Sequence, residues 1–113
     1  MEKSIVVKLR IDGTHQWRNC PIKEVEFLKD THRHLFFIRL EKTVTHNDRD
    51  IEIIQLKHSI LQYLRLKYFN EENRTHSFGN MSCEDIAQEL LIVFEANLVE
   101  VLEDNENGAI IRL

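Results

Sequence analysis

The chain predicts one α+β domain over residues 1–113, an antiparallel sheet of order ββ-αα-ββ with two helices packed on one face. Three observations predict it. Apolar and polar residues alternate along two stretches in the first half, the period of a strand with one buried face. In the second half apolar residues recur at every third or fourth position along two stretches, the period of an amphipathic helix. Two short apolar runs then flank an Asn-Gly dipeptide, a hairpin signal. Strands, then helices, then strands argue for an antiparallel sheet with its helices gathered on one face.

Taken in order, Ser4 to Ile11 puts Ile5, Val7, Leu9 and Ile11 on one face and Val6, Lys8 and Arg10 on the other. Asp12-Gly13 breaks this strand. Thr14 to Asp30 is mixed and long for a hairpin loop, and long loops in compact domains are usually functional; a short helix fits Lys23 to Leu28. Cys20 precedes the only Pro, which pushes it to an extended conformation. His32 to Val44 reads as a second strand, with His32, His34, Phe36, Ile38 and Leu40 sharing a face. After the polar turn Thr45–Asp50, Ile51–Ile54 is either a short third strand or the start of a helix. Gln55 to Phe69 is helical, with Leu56, Ile60, Leu64 and Tyr68 in a stripe that Leu61 widens. Asn70 to Met81 reads as a polar break. Ser82 opens a helical stretch to Leu98, with Ser82 as N-cap and Asp85 three positions on. Leu98–Glu103 and Ala109–Leu113 are the closing strands, with Asn107-Gly108 as the turn. One sheet face is left bare, which points to self-association.

Composition sets the class of partner. With 42% hydrophobic and 30% charged residues the chain is an ordinary globular one. Its net charge of −4, with basic residues scattered, argues against a nucleic-acid backbone as partner. No apolar run reaches the length of a membrane span, and the N-terminal run is interrupted by charges, so the expectation is a cytoplasmic protein with no membrane partner. Cys20 and Cys83 lack CxxC spacing and are expected to be reduced.

The chemistry concentrates in Ile11–Phe37, which holds three of the six His, the only Trp, the only Pro and one of the two Cys. Residues two apart on a strand point the same way, so His32 and His34 converge on one point. His15, one loop earlier, can complete a facial set. Three protein ligands with an open position is the pattern of a catalytic zinc site. Asp12, Asp30 or Glu26 could orient the imidazoles through their second ring nitrogens. Trp17, Phe36 and Phe37 read first as core, His46 and His58 as surface residues, and the acidic turn 103–106 as mostly a solvated hairpin tip.

These residues resemble a known pattern. His15 after the first strand, the His32-x-His34 pair opening the second, Met81-Ser82-Cys83-Glu84 opening the second helix and Glu103 on the penultimate strand are similar to the motifs of the 6-pyruvoyl-tetrahydropterin / 6-carboxy-tetrahydropterin synthase family. The resemblance covers nearly the whole chain at scattered positions. It implies the tunnelling fold (T-fold), which oligomerises into a barrel, here a homohexamer of two stacked trimers with sites between subunits. It implies Zn2+ on His15, His32 and His34, and a pterin- or purine-like ring held by Glu103 with Ser82 and Cys83. A carboxylate suits that role, since it accepts two parallel N–H bonds from a guanine-like edge. The implied activity is a zinc-dependent lyase acting on a dihydroneopterin-triphosphate-like substrate, in tetrahydropterin or queuosine biosynthesis.

The chain also departs from the family. The Cys expected shortly before the His-x-His pair is replaced by Phe27, Leu28, Lys29 and Asp30. The Asp-His dyad expected after the first helix is replaced by Arg65 and Leu66. The catalytic candidates left are Cys20 and His76. These departures keep open an alternative, a T-fold module that has lost catalysis and binds a purine- or pterin-like ligand.

Overall fold

The two longest strands carry the alternating segments of the first half. The computed structural model describes residues 1–113. In order it contains β1 (Lys3–His15), a 3-10 segment (Lys23–Lys29), β2 (His32–Val44), α1 (Ile53–Tyr68), β3 (Phe69–Asn70), β4 (Thr75–Ser77), α2 (Cys83–Val93), β5 (Leu98–Glu103) and β6 (Asn107–Arg112). The fold is α+β, with one six-stranded sheet of order β3-β4-β1-β2-β5-β6.

The sheet is mixed rather than wholly antiparallel. β1 and β2 pair antiparallel along their full length, from Lys3↔Val44 to His15↔His32. β5 continues on β2, and β6 on β5, also antiparallel. β4 instead runs parallel to β1, through Gly13↔His76 and Thr14↔Ser77. The segment read as a polar break therefore supplies two strands. Strands of two and three residues are too short to show a period, and Asn70–Arg74 between them is a polar turn. After α1, which is about 24 Å long at 1.5 Å per residue, the chain makes a short hairpin through β3 and enters the sheet beside Gly13.

The helix ends follow from capping. There is no strand at Ile51–Ile54, because the Glu52 side chain accepts the Ile54 and Gln55 N–H groups and starts α1 there. Ser82 and Asp85 form a reciprocal capping box on α2. This helix stops at Val93, short of the expected Leu98, where Phe94 caps it and Glu95 takes a left-handed φ of 51°. The β5–β6 turn is also displaced. Asp104 and Asn105 carry the positive φ values, 55° and 59°, while Asn107 and Gly108 already belong to β6. Gly108 is needed there for closeness: a Cβ would lie 1.8 Å from the Val101 carbonyl oxygen.

One face of the sheet buries Val7, Leu9 and Ile11 from β1, Phe36, Ile38 and Leu40 from β2, and Val99 and Val101 from β5. Ile60 and Leu64 of α1 and Ile86 and Leu90 of α2 close over it in a single cluster. Burial of each such side chain is worth about 1.5–3 kcal/mol. The opposite face has no helix over it; Val6 is 44% and Ile110 37% exposed, between charged residues such as Arg39, which pairs with Glu41 and Glu100. No helix is long and apolar enough to cross a membrane.

Candidate metal centre

Register alone gathers four side chains. His15 is the cross-strand partner of His32, and Phe36 of Glu103. His32, His34 and Phe36 alternate along β2 and so share the core face. His15 and Glu103 therefore face the same way, at the end where the core stops. Gly13 clears the floor, since a Cβ there would lie 2.7 Å from the Phe36 ring and 2.8 Å from the Phe78 ring. The Phe36 ring sits edge-on to His15 at 5.3 Å between centroids.

Each imidazole is turned by a bond behind it. His15 Nδ1 is 2.9 Å from the Met81 carbonyl oxygen, and His32 Nδ1 is 2.9 Å from that of Asp30. His34 Nδ1 is 2.7 Å from Asp104 Oδ2. Carbonyl and carboxylate oxygens only accept, so each Nδ1 donates its hydrogen. A neutral ring then presents an Nε2 lone pair forwards, the tautomer a metal-binding histidine uses.

The three imidazoles offer no donor on the forward side. One ligand atom from each of His15, His32, His34 and Glu103 lies within 4.8 Å of all the others. His15 Nε2 is 2.8 Å from Glu103 Oε2, and His34 Nε2 is 3.7 Å from Glu103 Oε1. His32 Nε2 is buried with no hydrogen-bond partner. Burial pushes the His15 pKa below the ordinary imidazole value, against the pull of the Met81 carbonyl and Glu103. Neutral imidazoles facing a carboxylate are acceptors facing an acceptor, and a cation between them relieves the conflict. The four residues fit a metal ion on this ground, and they could hold one.

Asp104, a solvated turn residue by sequence, is a partner of the centre. Its carboxylate accepts from Leu35 N–H at 3.0 Å as well as from His34. The Leu35 N–H, followed by His34, holds its pKa below the ordinary carboxylate value. The signal was the register: with Glu103 opposite Phe36, the next residue falls beside Leu35 and His34. Of the three orienting candidates from sequence, Asp30 serves, but through its backbone carbonyl. The Asp12 carboxylate instead meets Arg33, and Glu26 is exposed.

A cleft of about 580 Å³ opens beside the cluster. His15, His32, Glu103, Ser82 and Cys83 all border it. Trp17 borders it too; it is 41% exposed and not a core residue, while Phe36 is fully buried. Burial, then the Glu103 charge and hydrogen bond, pushes the Cys83 thiol up to about 12, so it keeps its proton.

The two catalytic candidates lie elsewhere. Cys20 is buried with its thiol 3.6 Å from the Ile22 and 3.7 Å from the Val25 carbonyl oxygens, and does not border the cleft. His76 is buried on β4, with Nδ1 donating to the Asp12 carbonyl at 2.9 Å and its ring stacked with Phe78. Burial lowers its pKa. His46 and His58 are exposed. Compared with known proteins, the chain matches no family model and no curated protein.

Proposed function

We propose that this chain is a zinc protein of the tetrahydropterin-synthase type, with a T-fold, acting on a dihydroneopterin-triphosphate-like substrate. The observation that carries the reading is the set of three imidazoles, each turned by a bond at Nδ1 so that Nε2 faces one point beside a cleft. Three His with a carboxylate nearby is a donor set suited to zinc with an open position. Zinc, when bound, supplies a Lewis acid for substrate oxygens.

The chain's own groups do the rest. Glu103 contacts His15 and borders the cleft, where its carboxylate can accept the N–H edge of a guanine-like ring. Ser82 and Cys83 border the same space and orient the ring. The uncovered sheet face supports assembly into the barrel of a homohexamer. A cytoplasmic location fits the reduced cysteines expected from their spacing.

The proposal is tested by metal analysis, gel filtration and a turnover assay on dihydroneopterin triphosphate. About one zinc per chain, a hexamer and a released side-chain fragment are expected. A monomer carrying only trace zinc would remove the reading.

One observation favours a second reading, a ligand-binding module without turnover: neither Cys20 nor His76 borders the cleft. Zinc and pterin binding with no product would select it.

A further inference from the structure

Trp17, the only Trp of the chain, is 41% exposed at the wall of the cleft that His15 and Glu103 also border. Its backbone is pinned from several sides. Gln16 N–H donates to the Gly79 carbonyl at 2.8 Å, Trp17 N–H to that of Leu28 at 2.6 Å, and Arg18 N–H to Asn80 Oδ1 at 3.0 Å. The Trp17 carbonyl accepts the Cys20 N–H at 3.1 Å. Leu28 belongs to the 3-10 segment, and Gly79 and Asn80 to the link between β4 and α2, so distant stretches of chain meet at this residue.

Core packing does not account for the anchoring. The aromatic contacts of the core run from His15 through Phe36 and Phe78 to Tyr68, at 5.3, 5.3 and 4.8 Å between centroids, and the indole lies outside them. Exposed apolar surface is informative where it lines a concave site with polar groups converging on it. Leu28 and Met81 add apolar surface to the same cleft, and Glu103 and Ser82 supply the polar groups. An indole offers a wide, rigid face with only two rotatable bonds. With its backbone already fixed, little further ordering is needed when a flat ring is laid on it. A carboxylate that accepts the edge of a guanine-like ring leaves both faces of that ring free.

We propose that Trp17 is the stacking platform of the cleft, taking the face of the planar ring whose N–H edge Glu103 accepts. This rests on the reading of the cleft as a pterin-type pocket. Stacking is tolerant of the ring's identity, because every such ring has a π-face. The indole therefore supplies affinity for guanine-like rings as a class (pterin, guanine, deazaguanine), while Glu103 supplies the choice among flat rings. Trp17 is a positioning residue and takes no part in proton transfer.

The test uses the zinc-loaded full chain and neopterin triphosphate, which keeps the guanine-like edge in a fully aromatic ring. Affinity is measured by equilibrium dialysis. Trp17→Leu keeps apolar bulk but removes the flat face, and should bind on the order of tenfold more weakly. Trp17→Phe keeps a flat face and should retain most of the affinity. Both variants should carry wild-type zinc and elute with the wild type on gel filtration. In the wild type the indole N–H, a single resonance because the chain has one Trp, should move upfield in NMR spectra as the ring settles on it. Equal binding by Trp17→Leu, with the indole resonance unmoved, overturns the platform and leaves the pterin pocket standing. A smaller assembly in both variants assigns Trp17 to a subunit contact and overturns the platform as well. No binding by the wild type removes the pocket and the platform together.

Discussion

Glu89 and Glu103 are carboxylates set among polar side chains, and they meet opposite conditions. Glu89, on α2, is surrounded by donors: Tyr68 OH at 2.6 Å, Tyr63 OH at 2.7 Å and Lys67 Nζ at 3.1 Å. All three come from α1, so this cluster ties the helices together. Glu103 has one such donor, the Cys83 thiol, and otherwise faces imidazoles whose hydrogens are committed at Nδ1 to Met81, Asp30 and Asp104. The first cluster is complete within the chain. The second has a surplus of lone pairs, and a buried polar group without a partner costs about 1–3 kcal/mol. Completeness marks the Glu89 cluster as structural; the surplus marks the His cluster as a place for a cation.

The sharpest way to break the contrast is to remove a ligand. His32→Ala deletes the one ring nitrogen that is buried without a partner, and should reduce zinc measured by elemental analysis from about one per chain to a trace. The loss should exceed the roughly 10–100-fold that an orienting residue is worth. Zinc retained at wild-type stoichiometry would place the metal elsewhere. A companion measurement is thermal unfolding. Free zinc at a hundred times its dissociation constant should stabilise the wild type by about 2.7 kcal/mol, a rise on the order of 10 °C for a chain of this size. The His32→Ala variant should not respond.

Asp104→Asn sharpens the contrast from behind. Asn tolerates the left-handed backbone at this position and can still accept the Leu35 N–H. The charge that holds His34 in place is lost. Zinc affinity, measured by competition with a chelator, should fall roughly 10–100-fold, with the metal-free unfolding midpoint nearly unchanged. An unchanged affinity would mean that His34 is oriented without it.

The strand period made His32 and His34 legible as a pair, and the helical stripes made Ile60, Leu64, Ile86 and Leu90 legible as core. Period reports which face a residue takes, but not which strand lies beside it. That is why Asp104 reads in sequence as one more solvated acid, while β3 and β4, of two and three residues, are too short to show a period at all. The Asn107-Gly108 dipeptide misled for a related reason. Its glycine is required by contact with Val101, not by the turn, and local sequence cannot distinguish the two uses. Trp17 read as core because size usually decides burial; here it borders a cleft instead.

The smallest expected effect comes from the completed cluster and separates the two by pH. Burial alone would raise the Glu89 carboxyl, yet the bonds from Tyr68, Tyr63 and Lys67 outweigh it and hold the pKa below the ordinary value. A carboxyl depressed in the folded state adds stability above its unfolded pKa, and that stability is lost as pH falls through the folded value. Glu89→Gln keeps one acceptor and removes the charge. It should cost about 1–2 kcal/mol at neutral pH, an upper range because Lys67 is half exposed and its share is screened. The deficit, read from urea midpoints of the metal-free protein, should shrink as pH falls below the ordinary glutamate range and the wild-type carboxyl protonates. A deficit constant with pH would show that packing rather than charge holds the helices at this point. Zinc affinity at neutral pH should not change, because no donor to Glu89 is shared with the His cluster.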